Sequence, residues 1–418
     1  MKKVLVVTYY WPPAGGPGVQ RVLKFCKYFS AFGWEPIVLT VQNGEYPSID
    51  STLLSESKML KVYKSNTIEP FTLYKKIFNK KSVSTFALDH SSKGKMEGMA
   101  QWIRINCFIP DARKGWIPFA VRLGKKIMAR EKCDLLFSSG PPHSLHFIAK
   151  KLKEKFNVPW VADFRDPWTD LFHLDGHKRL KTAQNLDKKK EESILSSADI
   201  ITTVSSSLYD LFKQKREELR VEIITNGYDE DDYTDVSKTN GIHNKILISY
   251  IGGMAKSQIP YSFFKALKSI TSRGFDAILR FSGNVHQDVS TEINNLSLQK
   301  QIEYEGYVNH KTAIRNMVNS DFLLLVIPNT SNNRGIITGK IFEYLRSKTT
   351  IICIGPADCD AAKIIHDTRS GFIFDYDDSN GISELIMSPK PVTSVDFHKY
   401  SRKSLADQLC SIFSELTP

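Results

Sequence analysis

The chain has 418 residues, more than one hydrophobic core usually serves, so two domains are expected. With 41% hydrophobic and 24% charged residues the composition is that of an ordinary globular chain and excludes long disorder. The net charge of +12 is concentrated: residues 58–132 hold 17 Lys and Arg against 5 Asp and Glu, and the remainder is close to neutral.

In chain order, Met1-Lys2-Lys3 and Val4–Thr8 begin like a signal peptide, but Pro12, Pro13 and the following glycines break the apolar run too early, so a buried first strand is expected. Strands follow at Ile37–Val41, Leu135–Ser139, Trp160–Asp163, Ile200–Val204 and Glu222–Ile224, with helical stretches between them such as Val19–Ala31. A linker is expected over 226–244, where an acidic run and polar residues replace the apolar pattern. Beyond it the alternation restarts, with strands at Leu247–Ile251, Ala277–Ser282, Ile302–Glu305, Phe322–Ile327, Thr350–Ile354 and Phe372–Phe374. The last helix, within 396–418, carries Leu405, Leu409, Ile412, Phe413 and Leu416 at helical spacing and needs a surface to cover. Short apolar strands alternating with helices predict an α/β chain of two Rossmann-like, doubly wound domains, 1–225 and 245–395. The basic stretch 58–132 reads as an insertion in the first.

The longest apolar run, Phe322–Ile327, falls far short of the roughly 20 residues that cross a bilayer. The six cysteines, Cys26, Cys107, Cys133, Cys353, Cys359 and Cys410, show no zinc-ligand spacing, so a reducing, cytoplasmic setting and no structural metal are expected.

Four segments carry candidate chemistry. The first strand runs into Pro12-Pro13-Ala14-Gly15-Gly16-Pro17-Gly18 and then a helix, where close backbone approach and free amides suit a diphosphate; a simple strand-to-helix turn is the other reading. His143 follows Pro141-Pro142 at the carboxyl end of a strand, the edge at which open α/β sheets place ligands, and Asp166 with Arg165 lies at the same edge after Trp160–Asp163. His143 reads equally as a helix-start residue beside Ser144, and Arg165 with Asp166 as an ion pair fixing a loop. Lys340 and Glu343 share one face of a helix opening at Gly339: an ammonium there suits a phosphate and a carboxylate suits two ribose hydroxyls, while an exposed ion pair is the alternative. The acidic run Asp229–Asp232 invites a metal reading, which a solvated linker argues against.

"PPAGGPGVQR", "SGPPHS" at 139–144, "ADFRDPWT" at 162–169, "ITNGYDEDD", "YIGG" at 250–253 and "GKIFEYL" at 339–345 together resemble glycosyltransferase family four, in particular bacterial capsule and O-antigen members. The resemblance implies the GT-B fold, with the C-terminal helix packing back on the N-terminal domain. It implies a retaining transfer from a UDP-sugar, with a GDP-sugar as the alternative, to a lipid-linked or oligosaccharide acceptor, with no further cofactor. His143 would approach the reacting sugar or the diphosphate, and Asp166 and Lys340 are the further catalytic candidates. Gly15, Gly16, Gly253, Lys256, Gly339, Lys340 and Glu343 would hold the nucleotide-sugar, and Val308 stands at the family's base-contacting position. Two positions depart from the family. Gly335 stands where a first glutamate is usual, and Gly253 where an arginine is, which leaves Lys256 as the nearest cation.

The basic segment interleaves lysines with Phe71, Tyr74, Ile77, Phe78, Trp102 and Trp116, a pattern that suits an anionic membrane surface; a solvated basic face over core aromatics is the alternative. A peripheral enzyme on the inner face of the cell membrane is the expectation. No RNA-binding motif accompanies the charge, so nucleic acid is not expected. The rival readings are a nucleotide-sugar epimerase on the same plan and a non-catalytic basic binder of membrane or nucleic acid.

Overall fold

The computed structural model describes residues 1–69, 95–170, 179–238, 245–330 and 333–418. It divides into two compact units, one of Met1–Thr225 with Arg402–Pro418 and the other of Asn226–Ser401.

The first unit is built on seven parallel strands: β1 (Lys2–Val7), β2 (Trp34–Val41), β3 (Lys61–Ser65), β4 (Leu135–Gly140), β5 (Trp160–Phe164), β6 (Ile200–Thr203) and β7 (Val221–Ile223), in the order β3-β2-β1-β4-β5-β6-β7. Successive side chains of β1 enter different cores, Leu5 and Val7 on one face and Val4 and Val6 on the other. A parallel strand covered on both faces reads as a continuous apolar run for this reason. The strand order reverses between β1 and β4, so the glycine-rich turn after β1 and the His143 turn after β4 open side by side at the sheet's carboxyl edge.

The C-terminal helix Arg402–Leu416 finds its surface on this unit. Phe413 packs edge-on to Phe29 at 5.4 Å and to Trp34 at 5.3 Å, and lies 5.6 Å from Phe137. The expected return of the last helix to the N-terminal domain is observed.

The stretch 58–132 is not a single insertion. Its beginning forms the edge strand β3, whose Lys-Val-Tyr-Lys-Ser sequence is too polar to register as a strand, and Lys61 there pairs with Glu131 at 2.6 Å. An edge strand bearing lysines resists pairing with other chains. Its end forms the crossover helix Ile117–Glu131, which buries Ala120, Gly124, Ile127 and Met128. Between them the helix Lys95–Cys107 is described, while Phe71, Tyr74, Lys75, Lys76, Ile77, Phe78, Lys80 and Lys81 lie outside the described residues. Trp116, a candidate membrane aromatic, is instead a core residue whose indole donates to Ser65 Oγ at 2.8 Å.

The second unit holds six parallel strands: β8 (Ile246–Ile251), β9 (Ala277–Ser282), β10 (Ile302–Tyr304), β11 (Phe322–Val326), β12 (Thr350–Ile354) and β13 (Gly371–Phe374), in the order β10-β9-β8-β11-β12-β13. It too is doubly wound, with its reversal between β8 and β11. Among the described residues no helix is long and apolar enough to cross a membrane.

Candidate active site

In the first unit the turn after β1 is clasped to a neighbouring loop: Gly15 N donates to Ser48 O at 3.0 Å and Asp50 N to Pro13 O at 2.8 Å. Gly16 caps the helix Pro17–Phe29 at φ 106°, a conformation open to glycine and costly for other residues. Gly18 answers to a different constraint, since a β-carbon there would lie 2.2 Å from Arg165 Nη1. The third glycine of the loop therefore makes room for a side chain of this chain.

Arg165 itself is held by carbonyls, donating from Nε to Gly140 O at 3.0 Å and from Nη2 to Pro141 O at 3.2 Å. The expected Arg165–Asp166 loop pair does not form an ion pair, and Asp166 is exposed. The acidic residue that the motif does bury is Asp163, which accepts from Arg21 Nε and Nη2 at 3.0 and 2.9 Å, Ser139 Oγ at 2.6 Å and Thr202 Oγ1 at 2.8 Å. Burial alone would raise its pKa; Arg21 and the hydroxyls outweigh that and hold it below the usual carboxylate value. Two of the quoted motifs thus meet in one structural ion pair, Arg21 with Asp163.

His143 is 6% exposed and stacks on Trp168 at 5.0 Å with the rings 4° apart, with Phe164 at 5.5 Å and His146 at 5.9 Å. Among the described residues neither ring nitrogen meets a partner at full hydrogen-bond geometry, and the Pro167 backbone, acting in the sense of a hydrogen bond, favours the charged ring. Burial, with a smaller push from Arg165 and Lys215, lowers its pKa to about 3, so the ring is neutral near pH 7. The next residue is braced from the basic segment: Asp111 accepts from Ser144 N and Oγ, each at 2.8 Å, and from Arg113 N at 2.8 Å. Asp111 escapes sequence reading because it is a lone aspartate in a loop 32 positions before His143.

In the second unit β8 is followed by Gly252 (φ 91°) and the helix Lys340–Ser347 is locked to the strand, Tyr344 Oη accepting from Ile251 N at 3.0 Å. That anchor puts Lys340 Nζ 3.6 Å from the position a Gly252 β-carbon would take and 3.8 Å from the centre of the Tyr250 ring. Lys340 forms no hydrogen bond or ion pair among the described residues, and burial lowers its pKa to about 7 against the pull of Glu343. The alternative of a simple Lys340–Glu343 surface pair does not hold, because Glu343 turns the other way. Its Oε1 lies 2.9 Å from His310 Nε2, whose Nδ1 is 3.9 Å from Asp232, and its carbonyl accepts from Tyr233 Oη at 2.8 Å. His310 gave no signal in the sequence beyond opening a helix.

The remaining candidates divide. Gly253 offers its carbonyl to Tyr250 Oη at 3.1 Å, and Gly339 caps the Lys340 helix. Val308 is half-buried against the core while Tyr307 beside it is 83% exposed. Lys256 is exposed and directed at Asp288 at 2.7 Å, so the cation lying against the glycine turn is Lys340. No group of metal-ligating side chains occurs among the described residues, Asp229–Asp232 included.

Residues 82–232, a little over a third of the chain, match the model of glycosyltransferase family 4. No curated protein matches the sequence significantly. Sucrose-phosphate synthase from Thermosynechococcus elongatus superposes with a TM-score of 0.65 at 12% identity, covering 100% of this chain and 99% of that one. A glycosyltransferase from Rickettsia africae gives 0.62 at 14% identity, covering 99% and 98%. Anabaena Alr3699/HepE, in complex with UDP and glucose, gives 0.58 at 14% identity, covering 99% and 95%. The fold is the GT-B one: two parallel-sheet, Rossmann-like units with their helices.

Proposed function

We propose that this protein is a retaining glycosyltransferase that moves a sugar from a UDP-sugar to a lipid-linked or saccharide acceptor. The observation that carries the reading is Lys340, an amine with no carboxylate partner among the described residues, at a helix start and against the glycine turn after β8. A half-buried cation kept unpaired suits a diphosphate, and Glu343 three residues on suits a ribose. The family match over 82–232 and the GT-B fold support the same reading, as does the UDP in the HepE complex.

In this reading the second unit binds the donor and the first receives the acceptor. The bond between the anomeric carbon and the β-phosphate oxygen breaks as the acceptor hydroxyl attacks the same face, and the hydroxyl proton passes to the leaving phosphate. Lys340 and the amides at its helix start stabilise the departing diphosphate. His143, neutral near pH 7, can contribute to the first unit's side only through a hydrogen bond and not through a charge. The protein works on the cytoplasmic face of the membrane in surface polysaccharide synthesis.

Thermal shift with UDP, GDP, dTDP and CMP tests the donor half. UDP is expected to raise the melting temperature most. Glu343→Ala should cost about 1.5–3 kcal/mol of UDP affinity, the worth of a hydrogen bond to a charged group. An unchanged UDP affinity in that variant removes the ribose assignment. Slow UDP release from a UDP-sugar supports transfer, whereas appearance of a second UDP-sugar would make the protein an epimerase.

A further inference from the structure

The acidic turn Glu230–Tyr233 belongs to the second unit and is fastened to the helix Lys340–Ser347. Glu230 accepts from Arg346 Nε at 2.6 Å, the Arg346 guanidinium lies 4.7 Å from the centre of the Tyr233 ring, and Tyr233 Oη donates to the Glu343 carbonyl at 2.8 Å. Asp232 reaches the same helix through an intermediary. Its carboxylate lies 3.9 Å from Nδ1 of His310, and Nε2 of that ring lies 2.9 Å from Glu343 Oε1. The imidazole thus stands between two carboxylates, one of them the group assigned above to the ribose.

His310 owes its place to the residues before it. Gly306 turns the chain at φ 70° after β10, Val308 packs against the core that holds Ile341 and Phe342, and Asn309 caps the helix His310–Asn319 by accepting from Thr312 N at 2.9 Å. Ala313 and Met317 of that helix enter the same core, so its first residue is set beside the Lys340 helix by packing and not by the ion contacts alone. An ionised carboxylate only accepts hydrogen bonds, so the ring donates from Nε2. With Oε1 held, the Glu343 carboxylate cannot turn freely, while Oε2 accepts no bond among the described residues and the side chain stays partly exposed. A glutamate ordered before its ligand arrives lowers the entropy lost on binding.

We propose that His310, backed by Asp232, is a positioning residue of the donor site: it fixes the Glu343 carboxylate for the ribose hydroxyls and so makes the site discriminate a ribonucleoside diphosphate from one that lacks them. This deepens the donor reading and rests on Glu343 as the ribose contact.

The test is calorimetric titration of the full chain with UDP and with 2′,3′-dideoxy-UDP, which keeps the base and the diphosphate and lacks both hydroxyls. The parent is expected to prefer UDP. His310→Ala should weaken UDP about five- to tenfold while the dideoxy nucleotide changes by less than about twofold, so that the preference narrows. His310→Gln, whose amide still donates to Glu343, should recover most of the loss, and Asp232→Asn should lose less than His310→Ala because its contact is the longer one. In a Glu343→Ala background His310→Ala should add nothing, since the two act through one contact. Melting curves of the His310 variants should stay close to the parent's, an exposed ion contact being worth little. Equal weakening of both nucleotides, full UDP affinity in His310→Ala, or a further loss on top of Glu343→Ala overturns the inference and leaves Glu343 with its ribose. A parent without preference for UDP, or a Glu343→Ala variant that keeps it, refutes the ribose contact itself, and the positioning role falls with it.

Discussion

Lys340 and His143 are polar groups that form no hydrogen bond among the described residues, in half-buried and buried places, and their charge states differ from those of the free amino acids. With its pKa lowered to about 7, Lys340 is mostly neutral at pH 8 in the free protein. A bound diphosphate would restore the proton. Calorimetry of UDP binding at pH 8, in buffers of different ionisation enthalpy, should therefore show proton uptake, and Lys340→Met should abolish it. For His143 the sign runs through the unfolded chain. An unfolded histidine takes up a proton near pH 6.5 while the folded ring resists until about pH 3, so its contribution is complete above pH 6.5 and is lost as pH falls toward 3. By pH 5 the loss amounts to about 2 kcal/mol. His143→Phe, which keeps the stack on Trp168, should lose correspondingly less stability between pH 7.5 and pH 5 in urea titrations. Position and residue type at 143 and 340 were readable because strand ends and helix starts punctuate the sequence. The stacking of His143, and the turn of Glu343 from Lys340 toward His310, depend on residues up to 33 positions away and left no periodic trace.

Among the elements, the strongly apolar ones were legible and the amphipathic ones at the sheet edge were not. β1, β4 and β11 declare themselves as Val- and Leu-rich runs because both faces are covered. β3 sets Val62 and Tyr63 between Lys61 and Lys64 without an alternating pattern, and its pairing along β2 makes it a strand. Reading 58–132 by its charge therefore hid a strand and a crossover helix that build the first unit. The C-terminal helix was legible as an apolar face in want of a partner, and the partner is specified by aromatic contacts. Phe413 is fully buried among Phe29, Trp34 and Phe137, so Phe413→Ala should cost about 3–5 kcal/mol, the usual range for an aromatic deleted from a core. The loss should appear in the unfolding of the first unit; because UDP is proposed to bind the second, its affinity measured below the transition should be unchanged. A variant that melts like the parent would mean the helix is a dispensable tail.

At the scale of the whole molecule the uneven charge acquires a narrower meaning once its members are placed. Arg113 is buried with Glu45 and Glu69, and Lys61 is tied to Glu131, so part of the basic excess is internal architecture. What is left near the surface includes the helix Lys95–Cys107, where Met99, Trp102 and Ile103 are 61%, 44% and 39% exposed at positions that share one helical face. Apolar and aromatic side chains of this kind insert at the headgroup boundary, and basic residues near an anionic leaflet add about 1 kcal/mol each. Attachment built on both should respond to salt and to the aromatic in separable ways. The protein should co-sediment with anionic vesicles at low salt, less at high salt, and little with neutral vesicles. Replacing Lys75, Lys76, Lys80 and Lys81 by glutamate should abolish the salt-sensitive part. Trp102→Ser should weaken attachment at every salt concentration, because it removes buried apolar area rather than charge. A protein that stays in the supernatant with anionic vesicles at low salt is not a peripheral membrane enzyme. Full retention by both variants would place the contact on another face of the molecule.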